Sequence, residues 1–186
     1  DYTGSLGLGD GLVNAELPKT SYAVIGSDYN GQCDYGVIQN MTLDCDVMGQ
    51  PELVAAGGVN VSGSHILVER VQVIRWGSRN ELEGFAMGTS GGHVYTGPAD
   101  GNVQQDCFAV DPCSEMSHAG ATAFVVFGGS EKKFAHRAPT IRRCFVDGGG
   151  LKSVSGFTIT GGIDGVIDDC VAQRCQFGSY ADSSMN

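Results

Sequence analysis

Histidines and carboxylates gather before and after two short apolar runs in this chain. Glu81 and Glu83 precede the run at 84–88, and His93 and Tyr95 follow it. Glu115 and His118 precede the run at 124–129, and His136 and Arg137 follow that one. Histidine serves as acid or base near neutral pH, and two carboxyl groups flanking a glycosidic bond can hydrolyse it. Glu81, Glu115, His93, His118 and His136 are therefore the candidate catalytic residues, provided their loops converge. Tyr95, Arg137 and Trp76 are candidate substrate-binding residues. An exposed indole stacks on a sugar face, whereas a lone Trp more often packs under a loop. Asp111 and Asp147 each follow a strand-like run, and a Ca²⁺ ion could bridge them if they are neighbours. Turn capping is the competing role for the two aspartates, and solvated loop surface for the others.

These residues need a scaffold, and an internal repeat supplies one. A short β-type run closing on small residues occurs five times, aligned on Ile25, Val61, Met87, Val126 and Ile159. Each copy is followed by two short strands broken by a polar pair, as in Leu67-Val68-Glu69-Arg70-Val71-Gln72-Val73 and Val166-Ile167-Asp168-Asp169-Cys170-Val171-Ala172. The alternation predicts an all-β chain: a right-handed parallel β-helix, or solenoid, of about five coils with three short strands each. The coils run roughly 22–57, 58–82, 83–121, 122–154 and 155–178 of one domain spanning 1–186. Alternate residues of a strand face the same way. Two inward columns follow, one of Phe85, Phe124 and Phe157, the other of Met41, Val71, Cys107, Cys144 and Cys170. Buried cysteine behaves as a small hydrophobe, which accounts for three of the seven cysteines without disulfides. A Cys33–Cys45 or Cys107–Cys113 bridge stays open.

The polar pair ends in Asn40, Arg70, Asp106, Arg143 or Asp169. Asn and Asp tolerate the left-handed backbone of tight turns. In this respect residues 22–175 resemble the pectate-lyase-like superfamily of right-handed β-helices, where a polar residue, often Asn, occupies the turn between second and third strands. Arg70 and Arg143 depart from that preference. The resemblance implies a groove along the first strands, walled by loops, and a lyase or hydrolase activity on polysaccharide, with Ca²⁺ as the possible cofactor. Family signatures such as Gly-His-Gly and Trp-Ile-Asp-His are missing, and Asp168-Asp169 lies in a turn rather than on the groove strand. The outward groove positions Asn60, Ser62, Ala86, Gly88, Val125, Phe127, Thr158 and Thr160 carry no charge.

Composition narrows the partners. The 186 residues carry a formal net charge of −10, which disfavours nucleic acid. No apolar run is long enough for a membrane span. The chain opens at Asp1 without an initiator Met, as a processed chain or a fragment of a longer one would. Two functions fit: a secreted or cell-surface β-helix that cleaves or binds polysaccharide, and a non-catalytic structural, adhesive or glycan-binding segment. Unpaired strand edges at the coil ends would favour a homo-oligomer or larger assembly.

Overall fold

The computed structural model describes residues 20–26, 33–50, 54–79, 84–90, 99–114, 121–127 and 136–182. They form a β-solenoid in which parallel strands return repeatedly to the same walls. The first wall stacks β1 (Thr20–Gly26), β3 (Val54–Ser62), β6 (Gly84–Ser90), β11 (Ala121–Phe127), β15 (Val154–Thr160) and β19 (Phe177–Asp182) in that order. The second wall begins with β2 (Val37–Asp44) and β4 (Leu67–Ile74). It continues in broken strands: β8 (Val103–Gln105) with β9 (Phe108–Val110), β13 (Thr140–Arg142) with β14 (Phe145–Asp147), and β17 (Val166–Asp168) with β18 (Val171–Gln173). A narrow third sheet joins β7 (Ala99–Asp100), β12 (His136–Arg137) and β16 (Gly162–Ile163). The pieces β5 (Gly77–Ser78) and β10 (Cys113–Ser114) extend the first wall at its edge, with β5 antiparallel to β3. Among the described residues no helix is long and apolar enough to cross a membrane.

Left-handed residues turn the chain at the corners. Asn40, Arg70, Asp106, Arg143 and Asp169 all have φ between 48° and 58°. A second set, Tyr35, His65, Gly101, Ala138 and Asp164, has φ between 46° and 62°. Asn and Asp adopt this conformation with little penalty, whereas an arginine bears about 1 kcal/mol or more of strain. The two arginines are held by neighbouring rungs. Arg70 Nε donates to Asn40 Oδ1 at 2.6 Å, and Arg143 donates from Nε and Nη2 to the two Asp106 oxygens at 2.7 Å each. The predicted departure from an Asn column is thus a ladder alternating amide, cation and anion. These pairs are half-exposed and screened by solvent, so they orient the corners more than they stabilise the fold.

The second wall has the expected register. Met41 pairs with Val71, and the flanking pairs Glu69–Gln105 with Gln72–Phe108 place Cys107 beside Val71. The same bracketing sets Cys144 beside Cys107 and Cys170 beside Cys144. None of the seven cysteines is joined in a disulfide.

The first wall differs from expectation by two residues. Met87, not Phe85, pairs with Phe124, while Phe85 pairs with Thr122. The inward columns are Ile25–Val59–Met87–Phe124–Phe157 and Val61–Thr89–Val126–Ile159. The Phe124 and Phe157 rings stack with centroids 5.2 Å apart, as predicted for that pair. The cause of the slip is a corner inside each strand. Ala86 with Met87, and Ala123 with Phe124, are consecutive residues that both lie in the core. The pairing skips Ala123 on both of its neighbours, marking the bend. Small residues occupy the corner because the opposite wall is close. A Cβ on Gly58 would come within 2.5 Å of Val73 Cγ2, and one on Gly156 within 2.9 Å of Ala172 Cβ. Ala86 therefore faces the core and not a groove, and Phe85 packs edge-on against Phe127 with centroids 4.9 Å apart.

One rung carries a polar pair inside the core. Gln104 interrupts the aliphatic column Ile38–Val68–Gln104–Ile141–Ile167, and Thr89 interrupts its own column. Both are buried, and Gln104 Nε2 donates to Thr89 Oγ1 at 3.1 Å and to the Val125 carbonyl at 3.0 Å. Gln104 Oε1 has no partner. Thr89→Val strands a buried amide hydrogen and is expected to cost about 1–3 kcal/mol. Adding Gln104→Leu should recover most of that loss, because both polar groups are then gone. A double-mutant cycle by urea unfolding reads the coupling, and additive single effects would show the pair to be independent.

Candidate functional site

Glu81, Glu83, His93, Tyr95, Glu115 and His118 lie outside the described residues. Of the candidate catalytic residues, the structure places only His136. Its rung neighbours on the third sheet are Ala99 and Gly162, whose small size leaves room for an imidazole. The ring is fully buried, and neither nitrogen makes a well-formed hydrogen bond. Burial lowers its pKa to about 4, opposed by the Phe127 main chain and the Asp100 carboxylate. At neutral pH His136 is an uncharged core residue without access to a substrate, so it does not fill the acid–base role expected of it. Arg137, next along β12, is exposed, with Asp100 as its rung partner.

Trp76 is fully buried in the hydrophobic core and offers no face to a sugar. The sugar-stacking expectation is corrected accordingly. The chain enters β5 directly after Trp76 and draws the indole beneath the wall, and its Nε1 finds no hydrogen-bond partner.

An arginine stands where a Ca²⁺ ion was expected. Arg174 Nε donates to Asp147 Oδ1 at 2.7 Å, and its Nη2 pairs with Oδ2. Gln173 Nε2 and the Gly149 amide donate to the same carboxylate at 3.0 Å each. These donors, led by Arg174, hold the Asp147 carboxyl well below the usual range. Asp111 acts electrostatically on the same Arg174 and itself occupies a left-handed corner with φ 54°. Among the described residues no cluster of three His, Cys, Asp or Glu side chains is placed to hold a metal ion.

The outer face of the first wall is not an open floor along its middle column. Asn60, Gly88, Val125 and Thr158 share a column there, and all are buried. The open, chemically featured surface is the outer face of the second wall. Phe108 is 49% exposed and pairs with Phe145, their ring centroids 6.2 Å apart and their planes tilted by 45°. Val171, 53% exposed, continues that column. Beside it runs the polar column Gln39–Glu69–Gln105–Arg142–Asp168, in which Arg142 Nε donates to Gln105 Oε1 at 2.8 Å. The charged corner ladder lies between the two columns. Flat aromatic rings flanked by tethered donors and acceptors suit a ligand with apolar faces and hydroxyl edges. Phe108 and Phe145 are absent from the sequence candidates, although they follow the inward Cys107 and Cys144 and so must face outward. No known protein-family model matches this chain, and no curated protein or solved structure matches it either.

Proposed function

We propose that the chain forms a right-handed parallel β-helix of five coils, secreted or carried on a cell surface, that binds extracellular polysaccharide on the outer face of its second wall. Right-handedness is supported by the general rule for crossovers between parallel strands of one sheet. The observation that carries the binding reading is the outward Phe108–Phe145 pair, Phe108 exposed and Phe145 half-buried, on adjacent rungs beside Gln105, Arg142 and Arg143. Pyranose rings stack by their C–H faces on such rings while their hydroxyls reach the polar ladder. The likeness to the pectate-lyase-like superfamily supports the same substrate class. His136 is buried and Asp147 is committed to Arg174, so the reading rests on the aromatic face and not on these two residues.

The test is a panel of neutral and acidic polysaccharides, assayed for binding and for product. Phe108→Ala with Phe145→Ala is expected to weaken binding roughly tenfold or more, since tenfold corresponds to about 1.4 kcal/mol. Phe108→Ala alone should weaken binding while barely moving the unfolding midpoint, because that ring is about half exposed. Unsaturated products or new reducing ends, with or without Ca²⁺, would establish a lyase or hydrolase instead.

A second reading, a segment within a larger assembly, is favoured by the terminal rungs. Val37 and Met41 are exposed at one end of the second wall, and Val166 and Val171 at the other. Apolar strand edges of this kind invite stacking.

A further inference from the structure

The column Cys107–Cys144–Cys170 repeats one geometry on three rungs. Each thiol donates to the carbonyl two residues before it: Cys107 to Gln105 at 3.0 Å, Cys144 to Arg142 at 3.3 Å and Cys170 to Asp168 at 3.2 Å. Each also points at a carbonyl of the preceding rung: Val68, Gln104 and Ile141 respectively, at 3.5–3.6 Å. Equivalent Cα atoms on paired strands are about 4.8 Å apart, inside the roughly 4.4–6.8 Å range that a disulfide spans. A closure of the Cβ atoms by about 1 Å completes the bond. Cys107 and Cys144 are buried, whereas Cys170 is half-buried on the last rung of its wall, and no described strand stacks beyond it.

We propose that Cys170 and Cys144 are a two-electron oxidation site, in which a hydroperoxide oxidises Cys170 and Cys144 resolves it as an inter-rung disulfide. In the first step the Cys170 thiolate attacks a peroxide oxygen. An S–O bond forms, the O–O bond breaks, and the departing oxygen leaves as water or alcohol after taking a proton. In the second step the Cys144 sulfur attacks the Cys170 sulfenic acid. The S–S bond forms, hydroxide leaves, and the proton from Cys144 converts it to water. Two thiols and one hydroperoxide thus give one disulfide, one water and one water or alcohol, with the peroxide reduced. The Cys144 hydrogen bond is the main reason the Cys170 pKa falls to about 7, which supplies thiolate at neutral pH. Its thiol neighbours Cys107 and Cys170, and then burial, push Cys144 the other way, so it waits as the resolving thiol. This site is independent of the polysaccharide reading.

Tryptic cleavage after Arg143, Lys152 and Arg174 puts Cys144 on peptide 144–152, Cys170 on 153–174 and Cys175 on 175–186. The full chain is treated with stoichiometric hydrogen peroxide, alkylated and digested. The expected product is peptide 144–152 joined to 153–174 with the loss of two hydrogens. In the untreated folded chain, iodoacetamide should label Cys170 at least about tenfold faster than Cys144 or Cys107: Cys144 is buried and its pKa is raised, and Cys107, whose pKa is lowered like that of Cys170, is fully buried. Cys144→Ser should abolish the crosslink and leave Cys170 to advance to the sulfinic acid. A Cys170–Cys175 crosslink, sulfinic acid on Cys170 in the wild-type chain without a disulfide, or equal labelling of the three thiols would each overturn the proposal. The labelling comparison needs only the wild-type protein, so it stands even if the variant fails to fold.

Discussion

Gly77→Ala is expected to destabilise the solenoid by more than about 3 kcal/mol, the sum of a forbidden backbone angle and a backbone collision. Gly77 has φ +126°, a conformation that side-chain-bearing residues rarely adopt. A Cβ there would also stand 2.0 Å from the Cys113 carbonyl oxygen and 2.9 Å from its carbon and nitrogen. Cys113 is the paired residue of the next rung, and its amide is tied to the Trp76 carbonyl at 2.7 Å. Neither atom set can retreat without separating β5 from β10. Gly150 provides the internal control. It has φ +79°, and a methyl added there would meet nothing within 4 Å, so Gly150→Ala bears only the conformational cost, about 1 kcal/mol. Urea unfolding of the two variants separates strain from collision. Equal losses would show that the rungs yield at Gly77 and that the tight approach is not structurally required.

The same contrast between open turns and close approaches explains what could be read from the amino-acid order. The second wall was legible because its left-handed corners fall on the polar pair and leave straight pieces on either side. Alternation from Val71, Cys107 and Cys144 placed the core column correctly, and the polar pair marked left-handed corners at all five positions. The first wall misleads because strict alternation assumes a straight strand. The bend at Ala86–Met87 turns two consecutive residues inward, and nothing in the spacing of Phe85 and Met87 announces it. The small residues at Gly58, Ala86, Ala123 and Gly156 are the available signal, once read as a column facing Val73 and Ala172. The cation expected between Asp111 and Asp147 was out of reach for another reason. Its substitute, Arg174, is brought to Asp147 by one full circuit of the solenoid and not by local sequence. Phe108 and Phe145 are readable from the parity that reveals the cysteines, but the expected groove directs the search for a site to the first wall instead.

Acidification should weaken the fold before its arginine-paired aspartates titrate, and His136 is the expected cause. In the unfolded chain the imidazole has its ordinary pKa of 6.5, and in the fold burial lowers it to about 4. Above pH 6.5 both states hold the ring neutral, and folding incurs no proton penalty. As pH falls below 6.5 the unfolded chain takes up a proton that the fold refuses, so stability drops with pH. The drop levels off near pH 4, where the folded ring also protonates. Full development amounts to about 3 kcal/mol, from about 1.36 kcal/mol per unit of displacement. Asp44, Asp106 and Asp147 also have lowered pKa values, chiefly through Arg75, Arg143 and Arg174, so their ion pairs dissolve at lower pH than this window. Among the described histidines and carboxylates with a displaced pKa, His136 is the one that spans the interval from 6.5 to 4. His136→Leu removes two buried nitrogens that lack good partners and keeps an apolar side chain between Ala99 and Gly162. At about pH 7 the variant should match or exceed the wild-type stability. At about pH 4.5 it should be more stable by about 2 kcal/mol or more. Urea unfolding at both pH values checks this, and parallel stability–pH curves for the two proteins would mean that His136 is not the group that senses acid.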